Sequence, residues 1–189
     1  MIADILRRLI EGIVSPRASA RWILSGHHSV QTAILMSVLG YMIVAIVSVV
    51  MSAFTPQRPG VAMNPLVMHL TGLLLRVLGV FVLGTIIHGA GRLFGGNGTR
   101  RQAFVIAGWH SLVTSLLAPL MLLGGQSLSL ESGGAQIAVI FSGLVYIWLL
   151  ACYVTELHGF RSVGAVLATM LGVSMVIGMI LLNLIPVQR

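Results

Sequence analysis

The sequence predicts an all-α integral membrane protein, a bundle of five transmembrane helices preceded by an N-terminal amphipathic interfacial helix. Three observations carry that prediction. Only 8% of the 189 residues are charged and 57% are apolar, with a mean hydropathy of +1.02, whereas a soluble domain needs about 25% charged residues to face water. Five apolar runs, at about 30–54, 65–89, 103–124, 135–157 and 163–185, are each long enough to cross a hydrocarbon core that takes roughly 20 helical residues. Stretches rich in glycine, proline and arginine separate the runs. Helix is the only choice for such runs, because a backbone group left unpaired in lipid costs several kcal/mol.

Residues 1–29 form a segment of a different kind. Ile2, Ile5, Leu6, Leu9, Ile10 and Ile13 recur at helical spacing, while Asp4, Arg7, Arg8 and Glu11 take the other side. A helix of this pattern lies in the headgroup layer of the cytoplasmic leaflet or packs on the ends of the bundle. Pro16 is expected to end it. Trp22, with Arg17 and Arg21 beside it, suits the same interface.

Residues 30–189 form the membrane domain. Thr55-Pro56-Gln57-Arg58-Pro59-Gly60 breaks the first pair of spans and Gly95-Gly96-Asn97-Gly98-Thr99 the second. Glycine pairs at 124–125 and 133–134 frame the third break, and His158-Gly159 marks the fourth. Short connections make successive helices antiparallel neighbours. Orientation follows from the arginines. Eight of the eleven (Arg7, Arg8, Arg17, Arg21, Arg92, Arg100, Arg101 and Arg161) fall on one side, and Arg58 and Arg189 on the other. The sequence therefore predicts a cytoplasmic N-terminus, an external C-terminus and residence in the cell's inner, or plasma, membrane.

The eleventh, Arg76, sits near the midpoint of the second run, where a charge costs roughly 2.5–3.5 kcal/mol to insert. That run also holds fourteen Leu, Ile, Val or Phe residues, each contributing up to about 0.3–0.6 kcal/mol in favour of insertion, so the span still forms. Gly72 and Gly79, at i−4 and i+3, are expected to let a neighbouring helix approach the face that carries Arg76. Helix-break carbonyls near Pro119, or water, are candidate partners for its guanidinium. Arg76, His110 in the third span and Glu156 at the cytoplasmic end of the fourth are the candidate functional or packing residues. His69, His88 and His158 are expected at span ends, against headgroups. Gly164, Ala168 and Gly172 recur every four residues in the fifth span, as Ala103, Ala107, Ser111 and Ser115 do in the third, and small residues so spaced make close helix contacts.

Other chemistry finds little support. Glycines 89–96 resemble a dinucleotide fingerprint in spelling only, since that pattern needs a βαβ context. One cysteine, Cys152, allows no internal disulfide and no cysteine-based metal site. HExxH, a nucleophile elbow and paired intramembrane carboxylates are missing. The expectation is no catalytic residue, no metal and no cofactor. The net charge of +7 is dispersed among apolar runs, which excludes nucleic acid and points to anionic headgroups at the cytoplasmic face.

The order of these features resembles the Yip-one (Ypt-interacting protein) domain family, in its bacterial form. The amphipathic N-terminus carries Ser15-Pro16-Arg17 and an aliphatic stretch to Leu24, five spans follow, and residues Gly91 to Ala103 look like the glycine-rich turn and basic start of the third span. The acidic, aromatic motif of the eukaryotic members is missing before the first span, and their glycine–tyrosine–proline pattern is met only by Gly108-Trp109 with Pro119 well downstream. Rab binding is therefore not carried over. The resemblance implies a non-enzymatic, membrane-organising or partner-binding scaffold, with a membrane-protein partner or a second copy as its company. The alternative is a small transporter or channel built on Arg76.

Overall fold

Apolar helices that must bury every backbone group pack here around one short, less apolar helix. A computed structural model describes residues 2–52, 64–119 and 133–184. These residues form seven α-helices: α1 (Ile2–Val14), α2 (Pro16–Ser25), α3 (Val30–Ser52), α4 (Pro65–Leu93), α5 (Arg100–Ser115), α6 (Gly133–His158) and α7 (Val163–Leu184). Three stretches, Val30–Ser52, Leu66–Leu93 and Ile140–His158, are long and apolar enough to cross a membrane. Their outer faces are a continuous supply of exposed Leu, Ile, Val and Met, such as Leu35, Ile46, Leu74, Ile86, Ile140 and Leu144. No soluble surface tolerates so large an apolar area.

The hub is α5. Every residue from Ala103 to His110 is buried, with α3 and α4 packed on it, α6 and α2 against it as well, and α1 touching it. Small side chains make this possible. A Cβ added at Gly108 would lie 2.6 Å from the Ala33 carbonyl oxygen and 2.7 Å from the Ala33 Cα, so α3 and α5 meet backbone to backbone. The matching face of α3 is Ala33, Ser37 and Gly40, all buried.

Local chemistry starts the helices. Pro65 occupies the first turn of α4, and the Asn64 side chain accepts from the Leu66 N–H at 2.9 Å. At α5, Thr99 Oγ1 accepts from the Gln102 N–H at 3.3 Å while Gln102 Oε1 accepts from the Thr99 N–H at 3.0 Å, a reciprocal capping box. Gly159 follows α6 at φ +69°, a left-handed residue that terminates helices at little cost in glycine.

Two expectations need correction. Pro16 ends α1 but also opens α2, because proline lacks only an N–H that a first helical turn leaves unpaired anyway. The third run is not one helix through 103–124. It starts at Arg100, and after Ser115 the bonds tighten, with Leu116 N–H to Val113 O at 3.1 Å and Leu117 N–H to Thr114 O at 3.0 Å. The expected turn at 55–60, the glycines at 124–125, and Arg58, Glu131 and Arg189 lie outside the described residues.

Candidate functional site

A few polar side chains tie one helix of the bundle to another, and several of the residues singled out above fall at three such ties. The first is at the broken end of α5. A helix end leaves its last carbonyl oxygens in need of donors. Thr114 Oγ1 donates to the His110 carbonyl at 2.7 Å and Ser115 Oγ to the Leu112 carbonyl at 2.6 Å. Arg76 adds two bonds from another helix, its Nη2 donating to the Ser111 carbonyl and its Nε to Ser111 Oγ at 3.0 Å. The guanidinium lies against Gly40 of α3, where a Cβ would come within 2.8 Å of Nη2. Its positive charge faces the negative end of the α5 dipole.

The neighbours of Arg76 differ from expectation. Gly72 makes room for the Tyr41 hydroxyl, which shares a 3.2 Å hydrogen bond with His69 Nδ1. Gly79 has nothing within 4 Å of the position its Cβ would take, so no helix approaches there among the described residues. His110, with 0% exposure, donates from Nε2 to the Tyr146 carbonyl at 3.1 Å. That bond leaves Nδ1 as an acceptor, and it is buried without a partner among the described residues.

The second tie docks the N-terminal pair of helices. Glu156 of α6 accepts from Arg17 and from Arg21, the latter at 3.0 Å. Trp109 Nε1 donates to Ser19 Oγ at 2.9 Å, and the Tyr153 hydroxyl donates to the Gly12 carbonyl at 2.8 Å. Trp22 packs on Trp109 with centroids 5.5 Å apart, and the Arg8 guanidinium lies over the Trp22 ring at 4.9 Å. Leu9 and Gly12 are buried against the bundle, whereas Ile5, Leu6, Ile10 and Val14 of α1 are exposed.

The third tie corrects the placement of His158. It is 2% exposed, and the glycine-rich stretch after α4 closes around it. The Gly98 N–H donates to Nδ1 at 3.2 Å, so the proton is on Nε2, which donates to the Ile87 carbonyl at 3.1 Å. The Asn97 N–H reaches the His158 carbonyl at 3.3 Å. A Cβ at Gly91 or Gly96 would overlap the imidazole, and one at Gly98 would sit 2.7 Å from Leu157 Cγ. One imidazole thus joins α4, the α4–α5 loop and α6. The glycines were visible in the sequence; their partner, some sixty residues away, was not.

Gly164, Ala168 and Gly172 lie on an open face of α7. Among the described residues only Ser162 Oγ, at 3.6 Å, comes near a Cβ at Gly164, and none comes near one at Gly172. Among the described residues no three His, Cys, Asp or Glu side chains converge as metal ligands. Cys152 is a buried free thiol.

These features define a class: an all-helical protein with membrane-crossing helices stitched together by a few polar side chains. Residues 11–185 match the Yip1 domain, and the chain belongs to that family. Neither a curated protein nor a solved structure matches it.

Proposed function

We propose that this chain is a non-enzymatic membrane scaffold of the bacterial Yip type, which organises the membrane or binds a partner in it. In this reading residues 1–29 are a cytoplasmic unit, residues 30–189 are a five-span domain with its C-terminus outside, and the host membrane is the inner one. The observation that carries the reading is the use made of Arg76. The one cation at mid-span is bonded to the backbone and side chain of Ser111, which is a packing role rather than a substrate contact. Family membership supports it.

A scaffold keeps company. Extracted from native membranes in mild detergent and weighed by native mass spectrometry, the protein is expected in an assembly heavier than its own 20.1 kDa. The partner is a distinct membrane protein or a second copy, and the open α7 face bearing Gly164, Ala168 and Gly172 suits either. A chain that is monomeric under every extraction condition contradicts the reading. One observation favours the transporter alternative: His110 Nδ1, on the residue next to Ser111, is buried and unpartnered. Flux measurements separate the two.

A further inference from the structure

The arginines divide into two groups by their company. Arg7 and Arg8 are answered by Glu11, and Arg17 and Arg21 by Glu156. Arg92, Arg100, Arg101 and Arg161 have no carboxylate partner among the described residues. All four are exposed. They sit on two segments, the α4–α5 junction and the turn after α6, and those segments are held together by the His158 clasp. The four are therefore carried on segments that a buried imidazole joins.

Their setting is apolar. Leu93 and Phe94, directly after Arg92, are 87% and 64% exposed. Two large apolar side chains at a helix end, flanked by guanidinium groups, match a boundary where hydrocarbon meets phosphate. A docked acidic protein segment would answer the charges but leave those two residues without apolar cover. Arginine is also the side chain suited to phosphate, through paired N–H donors in a fixed fork. Arg100 lies over the Phe104 ring at 5.6 Å, which restrains it. Arg101 borders a small hollow shared with His28 and Val105.

We propose that the α4–α5 junction and the turn after α6, locked by His158, form a binding site for the phosphate of an anionic phospholipid headgroup, with Leu93 and Phe94 reaching into the acyl layer. The site goes beyond the scaffold reading, and its failure in the test below would leave the assembly mass unaffected.

The test uses the full chain reconstituted in vesicles of phosphatidylcholine mixed with phosphatidylglycerol, with retained lipid counted by native mass spectrometry. Wild type is expected to retain phosphatidylglycerol in preference to phosphatidylcholine. The double variants Arg100→Gln/Arg101→Gln and Arg92→Gln/Arg161→Gln should each lose that preference by about tenfold or more, and Arg7→Gln/Arg8→Gln should keep it. Gly98→Ala retains every charge but crowds Leu157 and His158, and a several-fold loss is expected from the loosened clasp. A preference that survives all four neutralisations overturns the proposal, and one indifferent to Gly98→Ala overturns the role of the clasp. Displacement of the lipid by millimolar inorganic phosphate would mark a free-phosphate site instead. Capture of a polyglutamate peptide in pure phosphatidylcholine, lost in the same arginine variants and without any lipid preference, would assign the patch to a protein partner. Either result overturns the lipid assignment.

Discussion

At the scale of the residue, Arg76 poses the sharpest energetic question, since a mid-span charge costs roughly 2.5–3.5 kcal/mol to insert. Its hydrogen bonds to Ser111 are charge-assisted and return about 1.5–3 kcal/mol. The two terms nearly cancel. Arg76→Leu is therefore expected to fold and insert, with its thermal midpoint in detergent within a few degrees of wild type. Ser111→Ala should do more harm than Arg76→Leu, because it strands the Nε donor of a retained guanidinium, at about 1–3 kcal/mol. The reverse order in paired melts would mean that the arginine acts other than as a cap. The position of this charge was legible in the hydropathy pattern. Its partner was legible only as a helix-break carbonyl near Pro119 or a water, because Ser111 lies on another helix, 35 residues along the chain.

At the scale of the element, the glycines separate close contacts from idle ones. Gly108→Ala must push α3 from α5 against the Ala33 backbone, and overpacking of that kind costs about 1–3 kcal/mol. Gly79→Ala meets nothing within 4 Å and should stabilise α4 by about 0.5–1 kcal/mol through its better helix propensity. Opposite shifts of the melting midpoint are the expected result. The N-terminal pair α1–α2 is a separate case. Arg17 and Arg21 are exposed, so their ion pairs with Glu156 contribute at most about 1 kcal/mol. Glu156→Gln is accordingly expected to leave global melting almost unchanged while hydrogen exchange across Pro16–Ser25 quickens. Unaltered exchange would show that Tyr153 and Trp109 alone hold the pair down. Sequence reading missed α2, since a proline reads as a stop and also makes a good first helical residue. The His158 clasp was hidden for a related reason: composition marks a glycine turn but not the distant side chain it must admit.

At the scale of the whole molecule, hydropathy carries the membrane-crossing character of the helices. Among the described residues three helices, Val30–Ser52, Leu66–Leu93 and Ile140–His158, are long and apolar enough to cross a membrane, and lipid leaves a long apolar segment no alternative to helix. Reporter fusions are expected to place residue 97 in the cytoplasm and residue 128 outside, and the opposite pattern at either point would overturn the orientation. How the helices are stitched was less legible, because Ser111, Glu156 and His158 find their partners across the bundle rather than along the chain. The central claim is that the mid-span cation is bonded to Ser111 in a packing role and carries nothing across the bundle. Ion and solute flux into sealed proteoliposomes, compared between wild type and Arg76→Leu, tests it most directly. The account predicts leak no greater than that of protein-free vesicles for both proteins, and flux through wild type that Arg76→Leu abolishes would contradict it.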